Sequence, residues 1–177
     1  MKKFLSRRGF SLSLITIIFF TLYSPDWLSI QGIKPTWSVL WLLPIALEFG
    51  PLIGVLFGSF IAILIDSLGL GGVTYLPSFI LLGFCWGCIG RKNPKIELSL
   101  NLALLAWIGT IFLVLTLWIQ EYFIHSFPNS FWLNAWAFHT LLAKAIINGL
   151  LAPIVCSWLL IILRSRKNKF ISNLKKP

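Results

Sequence analysis

The sequence predicts an all-α integral membrane protein, a bundle of six transmembrane helices. Of 177 residues, 58% are hydrophobic and only 11% are charged, whereas a soluble domain carries about 25% charged residues. The apolar residues fall into six runs separated by short polar segments. The basic residues gather in blocks beside those runs. Six crossings place Lys2, Lys3, Arg7 and Arg8, then Arg91, Lys92 and Lys95, then Arg164, Arg166, Lys167, Lys169, Lys175 and Lys176 on one side. The positive-inside rule makes that side cytoplasmic, with both termini there. Five crossings would split the blocks between two sides.

The expected spans are residues 10–23, 36–49, 51–68, 75–89, 98–120 and 139–163, which make residues 1–163 one membrane domain and 164–177 a basic cytoplasmic tail. A straight crossing takes about 20 residues, so the second and fourth spans are short. The second and third meet at Gly50-Pro51. Proline suits a first helical position because its missing N–H would have no intrahelical partner there, so the pair marks a tight helical hairpin. Residues 121–138 carry Phe123, Phe127, Phe131, Trp132, Trp136 and Phe138. Amphipathic rings favour the headgroup level, so this stretch reads as an interfacial helix or re-entrant loop on the outer face. The first run follows Arg7-Arg8, but no small-residue cleavage site ends it, which favours a retained helix.

The net charge of +10 does not imply nucleic acid, because the basic residues flank spans and no aromatic-basic interleaving or separate soluble domain accompanies them. They suit anionic headgroups instead, at about 1 kcal/mol per basic residue near the surface.

The sharpest pattern lies in the third span. Gly50, Gly54, Gly58 and Ala62 recur every fourth residue, and the same spacing reaches Asp66. A step of four turns a helix about 400°, so these residues form a slowly winding stripe. Small residues at that spacing admit another helix backbone, the usual close contact in a bilayer, so the stripe is the candidate helix-packing or partner-binding face. Asp66 is a carboxylate in an otherwise uncharged span, and an ionisable group at membrane depth is costly unless partnered. Lys144 in the sixth span sits at comparable depth, with Asn148 one turn below it, so Asp66, Lys144 and Asn148 are a candidate polar set. The competing reading is that Asp66 caps the turn before Gly69 while Lys144 reaches the surface. Pro153 predicts a bend in the sixth span, with the freed carbonyl near Gly149 served by Asn148.

Cys85-Trp86-Gly87-Cys88 matches C-x-x-C, but it falls inside a span near its cytoplasmic end, where thiols stay reduced. Cys156 reads as a small buried hydrophobe. Glu121, His125 and His139 lack zinc-site spacing, so no metal or other cofactor is expected. Catalytic patterns such as G-x-S-x-G, H-E-x-x-H or a P-loop are absent, and the five acidic residues are scattered, so the chain reads as non-enzymatic.

Three stretches together resemble the MreD family of rod-shape-determining membrane proteins. They are Lys34-Pro35-Thr36-Trp37, then Glu48-Phe49-Gly50-Pro51-Leu52 through Gly54, Gly58 and Asp66 to Gly69, Gly71 and Gly72, and finally Asn148-Gly149-Leu150-Leu151-Ala152-Pro153 before the basic end. The resemblance implies a scaffold of the bacterial cell-elongation machinery in the cytoplasmic membrane, regulating cell shape. Its implied partners are an MreC-like bitopic protein and, through it, an MreB-like filament and the peptidoglycan synthases. It also implies a fold similar to the substrate-binding subunits of energy-coupling-factor importers. The alternative function is accordingly a solute-binding subunit of a vitamin-type importer. That class docks through small residues on its first span, whereas Leu12 to Leu22 is mostly large and apolar.

Overall fold

A computed structural model describes residues 29, 32–69, 73–92, 99–125 and 135–174. Among them are five helices and no strand: α1 (Trp37–Phe49), α2 (Pro51–Leu68), α3 (Leu76–Lys92), α4 (Ser99–His125) and α5 (Ala135–Leu174). The expected first span, residues 10–23, lies outside the described residues, as do residues 126–134 of the aromatic segment 121–138. Among the described residues, three helical segments are long and apolar enough to cross a membrane: Pro51–Leu68, Leu100–Ile124 and Ala137–Ser165. Helix α4 runs further than the expected 98–120 and takes in Glu121. Helix α5 continues to Leu174, so the basic stretch expected to be a tail begins as helix.

Helix α1 is the hub. Every residue from Trp37 to Ala46 is buried, and α1 touches each of the other four helices. A helix that is apolar all round is stable only when enclosed. The hairpin to α2 forms as the sequence requires. Gly50 takes φ +87°, a backbone region L side chains rarely adopt, and Pro51 opens α2. The Gly50 N–H donates to the Ala46 carbonyl at 3.0 Å, closing α1.

Side-chain contacts set the helix directions. Gly54 faces Gly83 and Gly58 faces Phe79, so α2 and α3 are antiparallel. Trp86 lies over Gly109, and Ser78 bonds to Thr116, so α3 and α4 are antiparallel. Thr36, Leu40 and Glu48 meet Asn148, Cys156 and Arg164 in order, so α1 and α5 are parallel. One end of the bundle therefore holds Glu48, Gly50, Arg91, Lys92 and Arg164, and the other holds Asp66, Thr74 and Gln120. The outward faces stay apolar: Leu52 is 81% exposed and Ile154 71%. Such faces suit acyl chains better than water.

Pro44 sits inside α1 without breaking it. Proline has no N–H, so the carbonyl of Leu40, four residues back, loses its helical donor. The buried Cys156 thiol of α5 donates to that carbonyl at 3.3 Å. Cys156 is thus more than a space-filling hydrophobe. In a Pro44→Ala background the backbone N–H returns, so Cys156→Ala is expected to cost less there than in the parent chain. Thermal unfolding of the four variants checks this, and equal costs would break the link.

Candidate functional site

Three clusters account for the residues singled out in the sequence. The first is a glycine seam between α2 and α3. A Cβ on Gly58 would lie 2.5 Å from the Phe79 carbonyl oxygen, and one on Gly54 would overlap the Gly83 carbonyl. On α3, Gly83 abuts Gly54, Gly87 abuts Pro51, and Gly90 abuts Leu47 of α1. Backbone therefore touches backbone along the whole seam. The stripe is covered by the chain's own α3, and Ala62 is fully buried, so these positions do not present a free face to another protein. Gly50 belongs to the turn, where a Cβ would meet nothing within 4 Å. On α3, Gly83 and Gly87 repeat the four-residue spacing of Gly54 and Gly58, a signal present in the sequence.

The second cluster surrounds Asp66. Its Oδ2 accepts from the Thr74 hydroxyl at 2.7 Å and its Oδ1 from the Tyr75 N–H at 3.0 Å. The Thr74 hydroxyl in turn accepts from the Leu76 N–H at 3.2 Å, and the Thr74 N–H reaches Gln120 Oε1 at 3.2 Å. The carboxylate lies at the start of α3, where the helix dipole favours negative charge. The expected Asp66–Lys144 pair is therefore corrected: among the described residues no ion pair joins them, because a nearer set of N–H and O–H donors takes both oxygens. Asp66→Asn and Lys144→Gln are expected to add without coupling in a double-mutant cycle read by unfolding. An interaction above about 0.5 kcal/mol would restore the pair.

The third cluster centres on Asn148, which is fully buried. Its Oδ1 accepts from the Thr36 N–H at 2.9 Å. Its Nδ2 donates to the Thr36 and Thr110 hydroxyls, each at 2.8 Å. Thr110 passes its own proton to the Ala106 carbonyl at 2.7 Å. Thr36 is the N-cap of α1 but makes no side-chain cap bond of its own. Asn148 instead accepts the N–H of this cap residue itself, from another helix. Both its amide hydrogens are committed, so the expected service to the Gly149 carbonyl is replaced by this node. Helix α5 runs unbroken through Pro153.

At the opposite end the Arg164 Nε donates to Glu48 Oε2 at 3.2 Å, a pairing unread in the sequence because 116 residues separate the partners. Cys85 is exposed and Cys88 half-buried, while the residues between them pack on Gly109 and Pro51. Among the described residues no three metal-ligating side chains converge. No protein-family model, curated protein or solved structure matches the chain.

Proposed function

We propose that this chain is a non-enzymatic, multi-pass scaffold of the bacterial cell-elongation machinery, of the MreD type. In this reading it spans the cytoplasmic membrane six times with both ends inside. It binds an MreC-like bitopic protein and, through it, engages an MreB-like filament and peptidoglycan synthases. One observation carries the reading: the stretches that bear the resemblance are spent on holding helices together. Thr36 of the first stretch is bonded to Asn148 of the third. Gly54 and Gly58 of the second are packed on α3, and Asp66 is tied to its first turn. Such residues make a rigid body, which is what a scaffold offers. Because the glycine stripe is occupied internally, partner helices meet the bundle over the outward apolar faces of α2 and α5.

In a rod-shaped bacterium that carries the chain, its depletion is expected to round the cells. A photoreactive residue at Leu56 or Ile154 should crosslink to a bitopic membrane protein. Rods that keep their shape while losing uptake of a vitamin would replace this reading with the importer subunit.

A further inference from the structure

The described helices form an open ring around α1. Helix α2 packs on α3, α3 on α4 and α4 on α5, but no comparable packing joins α5 back to α2. Each contact takes its own side of α1. Leu42 and Ala46 meet Gly58 and Gly54 of α2, and Leu47 meets Gly90 of α3. Leu40 and Glu48 meet Cys156 and Arg164 of α5. A helix turns about 100° per residue, so Ser38, Trp41 and Ile45 point into the sector between the α2 side and the α5 side. Among the described residues no helix lies over that sector. Yet Ser38 is 3% exposed, Trp41 9% and Ile45 9%. The α5 wall of the opening carries the same sign. Gly149 faces Ala103 and Trp107 of α4. Ile147, about 200° back around the helix, lies on the opposite side, and it is 4% exposed.

The chain holds one segment of the right size to fill the opening. Residues 10–23 are the longest apolar run outside the described residues. As a helix, 14 residues measure about 21 Å, against about 20 Å for the 13 residues of α1. The run leads into α1 through residues 24–36, so a crossing there is antiparallel to α1. Arg7 and Arg8 then fall at the end that holds Arg91, Lys92 and Arg164, as the positive-inside rule requires. The other segments fit less well. Residues 93–98 link α3 to α4, away from the opening. Residues 126–134 follow α4 at the Asn148 end, whereas Ile45 lies about 10 Å deeper than Ser38.

We infer that residues 10–23 dock as a helix between α2 and α5, against Ser38, Trp41 and Ile45, and close the ring around α1. The inference rests on the crossing of residues 10–23 in the reading above.

Crosslinking in the full chain, in native membranes, tests it. A photoreactive residue at Trp41 should join to a peptide within residues 10–23 when the product is mapped by mass spectrometry. Ile45→Cys should form disulfides with single cysteines walked through positions 12–18, with maxima three or four residues apart, and Ile45→Cys alone should form none. Agreement of the two substitutions guards against one of them disturbing the fold. A reporter fused after residue 28 should lie outside the cytoplasm. A reporter outside with no crosslink to residues 10–23 overturns the docking and leaves the crossing intact. A reporter inside overturns both. A crosslink from position 41 to residues 126–134, to a second copy or to another protein overturns the inference in favour of that occupant, and a product with lipid alone makes the opening a lipid site.

Discussion

Gly83→Leu is expected to destabilise the bundle at the seam between α2 and α3. A Cβ at Gly83 would press on the backbone of Gly54 and come within 3.1 Å of the Val55 nitrogen. Those atoms belong to a helix and cannot swing aside as a side-chain tip can. Overpacking of this kind costs about 3 kcal/mol or more when backbone must move. That corresponds to a fall of about 6–12 °C in the unfolding midpoint for a chain of this size. Gly149→Ala is the matched control. The nearest atom to its new Cβ is Trp107 Cδ1 at 3.7 Å, an ordinary contact, so it should leave the midpoint unchanged or slightly raised, since alanine is the better helix former. Equal effects of the two substitutions would remove the close-approach explanation.

Asn148→Ala should be the most damaging polar substitution. It leaves the half-buried Thr36 N–H without this acceptor and takes one donor each from the hydroxyls of Thr36 and Thr110. A buried group left unsatisfied costs about 1–3 kcal/mol, so the loss should be about 2–4 kcal/mol in total. Asn148→Asp should recover part of it, because a carboxylate can still accept from Thr36 but offers no N–H. Double-mutant cycles in detergent should show similar coupling of Asn148 to the Thr36 and Thr110 hydroxyls, one bond each, because a Thr36 substitution leaves its backbone N–H in place. Additivity at both pairs would mean the node contributes nothing beyond its volume.

Much of this architecture was legible in the sequence, for identifiable reasons. The hairpin at Gly50-Pro51 depends on two adjacent residues with strong backbone preferences, so local reading suffices. The expected 51–68 boundaries coincide with α2 because a proline opens it and Gly69 closes it. The α2 stripe was visible as a four-residue period, but its partner was not, since a period names a face and not what covers it. Asp66 shows the same limit. Depth alone matches it with Lys144, while its donors, Thr74 and Tyr75, lie eight and nine residues downstream. Asn148 stands out as polar in an apolar span, yet its bonds to Thr36, the residue that opens α1, cross 112 residues. Pro44 and Cys156 were each ordinary in isolation. Only the placement of Leu40 beside Cys156 reveals that the thiol replaces a backbone donor.

The enclosed position of α1 has a consequence for biosynthesis. Its amino end is completed by an amide that emerges from the ribosome more than a hundred residues later. Until then the short hydrophobic rod lacks α5, one of the four described helices that enclose it, and the amide that binds its first residue's neighbour, Thr36. The nascent protein thus stays incomplete until the last helix inserts. Chains cut short before Asn148 would leave that centre unfinished, with the Thr36 N–H lacking its acceptor.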